Sequence, residues 1–136
     1  SVFGGDQLRP NLHIKDYCDV VEALITAANS KIENQIFNVG YQNMSINEIA
    51  NLVKEVVSKE YPNKENIKII KTSSSDNRSY HINSDKIKKI LGFRAKRTIT
   101  MAIKDLCDAF KQNKITNSFE DDFYFNVNRL KKIKAK

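Results

Sequence analysis

The 136-residue sequence predicts an α/β fold, and three observations carry that expectation. Helical and strand-like patterns alternate along the chain. Four stretches repeat apolar residues at helical spacing, each with a capping or stopping residue at one end. No internal repeat and no linker divides the chain, and 40% hydrophobic residues suffice for a core.

The chain opens with "GGDQLRPNLHIKD", two glycines ahead of an apolar–basic alternation. Gly4 and Gly5 suit a tight turn with unusual backbone angles. "NLHI" reads as a short strand, with His13 a structural hydrogen-bonding residue in it. The spacing allows two readings of this stretch: a turn that presents Arg9 to an anionic ligand, or a surface hairpin. Asp16 is placed as the N-cap of the first helix, whose stripe is Val20, Val21, Leu24, Ile25 and Ala28. "QIFNVG" reads as a strand stopped by Gly40, with Asn38 tying neighbouring backbone.

"SINE" opens the second helix, where Ser45 and Glu48 form a capping box that satisfies two orphan donors. Ile49, Leu52, Val53, Val56 and Val57 line one face, and Pro62 lies beyond the end. The turn-rich "YPNKEN" leads to a strand, "NIKIIK", and "SYHIN" reads as a shorter one. The third helix is "SDKIKKILG", capped by Asn83 or Ser84 and stopped by Gly92. A fourth follows "RT", with Ile99, Ala102, Ile103, Leu106 and Phe110 on one face. "DDFYFN" reads as a strand-like arm and "RLKKIKAK" as a loose basic tail.

The net charge of +7 raises the question of a polyanionic partner. Lysine, asparagine and isoleucine are abundant throughout, so the charge reads as compositional bias. "SINEIANLVKEV" does look like the first helix of a helix-turn-helix. Pro62 and a strand then stand where a recognition helix should begin. Cys18 and Cys107 sit in helix-like stretches and read as reduced core residues of a cytoplasmic protein. No apolar run reaches bilayer length, so no membrane contact is expected. The four glycines form no phosphate loop, and no pair has zinc-ligand spacing. No Tyr-x-x-x-Lys pair occurs, so the residues themselves mark no catalytic or metal site.

Three phrases in order resemble one family. "GGDQLRPNLHIKDYCDVVEAL", "IFNVGYQNMSINEIANLV" and "DNRSYHINSDKIKKILGFRAKRTITMAIKDL" are similar to the closing segments of extended short-chain dehydrogenases/reductases, the nucleotide-sugar epimerases and dehydratases. Pro10 departs from the acidic residue that many members carry after the first arginine. The resemblance implies the substrate-binding lobe of such an enzyme, with a strand and helix that would join a parent Rossmann sheet. With Ser rather than Met at its start, the chain reads as a fragment. The NAD- or NADP-binding loop and the catalytic pair would belong to the parent's N-terminal part. No cofactor is expected in the fragment, and it alone would be inactive.

The resemblance further implies that Arg9 and Arg78 hold the diphosphate of a nucleotide-sugar, with Gly5, Gln7 and Tyr80 as supporting substrate contacts. Asp76 is the obvious salt-bridge partner of Arg78. Residues 1–115 would form the binding portion and residues 116–136 an arm and basic tail. An unpaired edge along "IFNV" predicts self-association. The alternatives from other classes are a small basic nucleic-acid-binding domain and a protein-interaction module.

Overall fold

A computed structural model of the chain describes residues 1–64, 66–76 and 78–134. Glu65 of the expected "YPNKEN" turn, Asn77 of the arginine loop and the last two residues of the basic tail lie outside the described residues. The chain divides into two units, Ser1–Asp105 and Leu106–Lys136.

Helix α1 (Ile14–Thr26) starts on His13, whose Nδ1 accepts the N–H of Lys15 at 3.1 Å. The cap is therefore His13 and not Asp16, and the expected strand ends before His13. Asp16 falls in the first helical turn and is 1% exposed. It accepts the backbone N–H groups of Lys96 at 3.0 Å and Arg97 at 2.8 Å, and Arg97 Nη1 at 2.5 Å. Burial alone would push this carboxyl up. The two amides and the guanidinium outweigh it and hold the pKa below the ordinary 3.8. Cys18 is exposed, against expectation. It lies on the far side of α1 from Asp16 and Val20, which are one helical turn apart and both buried.

A single short turn, α2 (Asn29–Ile32), follows without a sequence signal. Helix α3 (Ile46–Glu60) bears out the capping box: Ser45 Oγ accepts from Glu48 N at 3.2 Å, and Ser45 N donates to Glu48 Oε2 at 2.7 Å. Helix α4 (Asp85–Leu91) ends on Gly92 at φ +70°, as expected of a left-handed stop. Of its two candidate caps, Asn83 supplies the bond, with Oδ1 accepting from Asp85 N at 2.7 Å. The Ser84 hydroxyl instead accepts from Gly40 N and donates to Gly40 O, both at 2.9 Å. That tie, and not Asn38, which is exposed, holds the backbone at Gly40.

Helix α5 (Ile99–Lys111) buries Ile103 and Cys107, whereas Leu106 and Phe110 are 54% and 46% exposed. The buried stripe is thus rotated from the expected one, and Cys107 is the core cysteine.

The strands are short and differ most from expectation. β1 (Val2–Phe3) pairs in parallel with β4 (Lys71–Thr72), in register Val2–Lys71. β2 (Leu8–Asn11) pairs antiparallel with β3 (Gln42–Ser45), with Leu8 opposite Ser45 and Arg9 opposite Met44. Among the described residues β2 pairs with β3 alone, so the missing N–H of Pro10 breaks no second ladder. "QIFNVG" and "SYHIN" form no strand among the described residues, and "NIKIIK" contributes only its end. A strand exists only where a neighbouring backbone completes its ladder. Residues 78–82 nevertheless follow β2 and β3: Tyr80 N donates to Leu8 O at 3.1 Å. The Asn43 side chain accepts from Ile82 N at 2.9 Å and donates to Ile82 O at 3.0 Å.

In the second unit the expected strand-like arm is a 3-10 turn at Asp122–Tyr124, followed by helix α6 (Asn126–Lys132). Asp122 lies 3.0 Å from Lys132 Nζ and 3.7 Å from an Arg129 nitrogen. The start of the expected tail is thus helical through Lys132 and pairs with Asp122.

Replacing Asp16 by alanine leaves Arg97 and two amide donors without their buried acceptor. A stability loss of about 3 kcal/mol is expected in urea unfolding at neutral pH. The folded pKa of Asp16 lies below its unfolded value, so its contribution is complete above about pH 4 and fades as pH falls through the folded pKa. An alanine variant within about 0.5 kcal/mol of the parent chain would overturn this account.

Candidate functional site

The site begins at the glycine turn. Gly4 has φ +76°, the left-handed region open to glycine. A Cβ there would fall 2.3 Å from Gln7 Nε2. Gln7 closes the turn from inside, with Oε1 accepting from Gly5 N at 2.6 Å and Nε2 donating to Phe3 O at 3.0 Å. At Gly5 the reason is close approach: a Cβ would meet the Asn47 side chain at 2.5 Å. Asn47, in the first turn of α3, donates its N–H to Gly5 O at 2.9 Å and its Nδ2 to Asp6 Oδ1 at 2.9 Å. The turn is therefore seated on the start of α3, and the chain leaves it directly into β2.

Strand β2 carries Arg9 to a corner that it shares with the 76–80 segment. Arg9 Nη1 donates to Leu8 O at 2.9 Å and to Arg78 O at 2.5 Å. Leu8 N donates to Ser79 Oγ at 2.9 Å, which pins the same two segments together. The guanidinium carbons of Arg9 and Arg78 lie 5.5 Å and 6.0 Å from the Tyr80 ring centroid, within cation–π range. Arg78 grips Asp76 with two donors, Nε to Oδ1 at 2.7 Å and Nη2 to Oδ2 at 3.0 Å. Its own N–H also donates to Oδ1 at 3.2 Å. Arg9 Nη2 stands 3.6 Å from Asp76 Oδ2.

The electrostatics follow from that arrangement. Arg78, by its side chain and then its N–H, holds the Asp76 carboxyl well below the usual range, at about 2. Asp76 in turn pushes the Arg78 guanidinium up. The Arg78 side chain is 72% exposed and that of Arg9 is 26% exposed. One arginine is thus held by the fold, and the other projects into solvent beside it.

The structure brings Arg9, Arg78 and Tyr80 together, with Asp76 between the arginines. Gly5 and Gln7 stand behind this corner, as parts of the turn that aims β2. Sequence reasoning missed Ser79 and Asn47. Both act through partners distant in sequence, at separations of 71 and 41 residues, so no local pattern marks them. Among the described residues, no group of three His, Cys, Asp or Glu side chains is placed to hold a metal ion. Nor is any helix there long and apolar enough to cross a membrane.

Over 114 residues, 80% of its length, the chain is 26% identical to the dTDP-glucose 4,6-dehydratase of Escherichia coli. The chain is homologous to the C-terminal region of extended short-chain dehydrogenases/reductases. The match spans 31% of the dehydratase, so the chain covers about a third of the length of the curated relatives it matches. Its fold is shared with the PbgP3 protein from Burkholderia pseudomallei, at a TM-score of 0.64 and 23% identity over 79% of this chain and 32% of that one. It is shared also with the L-threonine dehydrogenase of Clostridium difficile, at a TM-score of 0.64 and 16% identity over 85% and 36% of the two chains. No family model matches the chain.

Gly4→Ala forces a Cβ into positive φ and against Gln7, at an expected cost of about 1–3 kcal/mol in chemical unfolding. An unchanged midpoint would show that the turn relaxes freely and does not fix the approach to β2.

Proposed function

We propose that the chain is the substrate-binding portion of a nucleotide-sugar epimerase, dehydratase or reductase that works with NAD or NADP. Arg9 and Arg78 hold the diphosphate of the sugar nucleotide. The observation that supports this best is their convergence: the Arg9 guanidinium reaches the Arg78 carbonyl across 69 positions of sequence, and both guanidiniums lie on one tyrosine ring. Planar guanidiniums from two segments suit a linker carrying two linked anionic groups. Tyr80 is 46% exposed and supports both guanidiniums beside the ligand. Every residue of the corner lies in the unit Ser1–Asp105, inside the proposed binding portion of residues 1–115.

This chain's residues position and neutralise the diphosphate, and they move no proton in the proposed reaction. The four glycines make no phosphate loop, so no residue here is assigned to the cofactor. Binding the remote diphosphate orients the sugar, and orientation is a rate effect in its own right. Cytoplasmic residence, read from the cysteine usage, belongs to the same proposal.

Titration of the chain with dTDP, followed by calorimetry, tests the reading. Arg9→Ala and Arg78→Ala are each expected to weaken binding about tenfold or more, the effect of losing charge-assisted hydrogen bonds. Unaltered affinity in both variants would overturn the assignment. Steeply salt-dependent binding of duplex DNA in place of dTDP would favour the nucleic-acid alternative.

Phe3, Ile36 and Ile70 are 61%, 82% and 61% exposed, more apolar surface than an isolated unit of this size keeps without consequence. Covering by the rest of an enzyme accounts for it, and the chain alone is expected to self-associate. A sedimentation coefficient independent of concentration, with little dye binding, would contradict that.

A further inference from the structure

We propose that Asp76 is the specificity-determining residue of the arginine corner: its carboxylate occupies the place of an anionic ligand between Arg78 and Arg9, and a ligand binds by displacing it. The inference rests on the diphosphate reading and deepens it. Asp76 engages both donors on one edge of the Arg78 guanidinium, Nε at 2.7 Å and Nη2 at 3.0 Å. A phosphoryl group gripping Arg78 in the same bidentate way needs those two donors. Arg9 is served differently. Its Nη1 is engaged by the carbonyls of Leu8 and Arg78, while its Nη2 faces Asp76 Oδ2 at 3.6 Å, beyond hydrogen-bond reach. The carboxylate thus satisfies one arginine and leaves the other short.

That asymmetry sets a threshold. A ligand with a single anionic group offers Arg78 roughly what Asp76 already offers, so the exchange gains little. A diphosphate brings two linked groups, one for the Arg78 fork and one for Arg9 Nη2, and the second contact drives the exchange. The displaced group has somewhere to go: the Asp76 side chain is 42% exposed and follows the short polar stretch "TSSS". Hydration repays an exposed carboxylate for a lost partner, which is why pairs of this kind are weak.

Asp76→Asn separates the charge from the local turn, because the amide oxygen can still accept the Arg78 N–H that Oδ1 takes at 3.2 Å. Inorganic pyrophosphate and dTDP are titrated into the full chain and into this variant. Glu55→Gln serves as a control, removing an equal charge from the Glu55–Lys59 pair on α3. The expected result is pyrophosphate and dTDP binding tightened about two- to fivefold by Asp76→Asn, and unchanged by Glu55→Gln. Equal tightening by both variants reports net charge only and overturns the proposal. Weaker binding in Asp76→Asn makes Asp76 a positioning residue for the arginines and also overturns it, while the diphosphate reading stands. If pyrophosphate tightens but dTDP binds neither protein, the displacement stands and the nucleotide reading fails. Absence of pyrophosphate and dTDP binding in both proteins removes the two together.

Discussion

Asp16 sits almost fully buried at the start of α1 and receives three N–H donors from residues 96 and 97, which lead into α5. An ionised carboxylate in that position is tolerable only because its acceptor capacity is filled. The consequence is geometric. The start of α1 and the approach to α5 are held in one place, and His13, the cap of α1, lies within 3.5 Å of Asp105 on α5. Lys15 reaches the same carboxylate at 2.6 Å. Because β2 runs directly into that cap, the anchor also limits how far the strand bearing Arg9 can move.

From that fixed end the functional corner is built by close approach more than by apolar packing. The fully or nearly buried apolar side chains of the first unit are few: Val2, Val20, Val56, Ile87 and Ile103. Polar ties do much of the positioning. Asn47 holds the glycine turn, Ser79 holds Leu8, Asn43 holds Ile82, and Ser84 holds Gly40. Each joins backbone groups that would otherwise be left without a partner, the general requirement for irregular segments in a folded chain. The Arg9 guanidinium belongs to this set, since its bonds to the Leu8 and Arg78 carbonyls brace the corner as well as orient its charge.

The division of labour between the two arginines follows from the same geometry. Arg9 is placed by a strand and braced by two carbonyls, so little side-chain freedom remains to be lost on binding. Arg78 is mostly exposed and is oriented by the neighbouring Asp76 carboxylate and the Tyr80 ring. A pre-placed cation beside an adaptable one suits a ligand that is anchored first and enclosed second. The corner stands on β2 and the segment that follows it from residue 78 to residue 82.

Local chemistry determined what needed only a few neighbouring residues. The Ser45–Glu48 capping box, the Gly92 stop and the apolar spacing of α3 are short-range events, and each was legible in order. So was the Asp76–Arg78 pair, two residues apart. The glycine turn left Arg9 open as either an anion-facing residue or part of a surface hairpin, and only the resemblance of three phrases to a family paired it with Arg78. Tertiary structure decided the rest. The polar β3 has no alternation to betray it, and "QIFNVG" is a short apolar run before a glycine but forms no strand among the described residues. Asp16 looks like a cap by position, yet it is a buried anchor because a segment 80 residues away delivers two amides and a guanidinium to it. The physical reason is common to all three. Strand pairing and burial of charge depend on which backbone arrives from elsewhere in the chain, whereas caps and stops depend only on the turn they close.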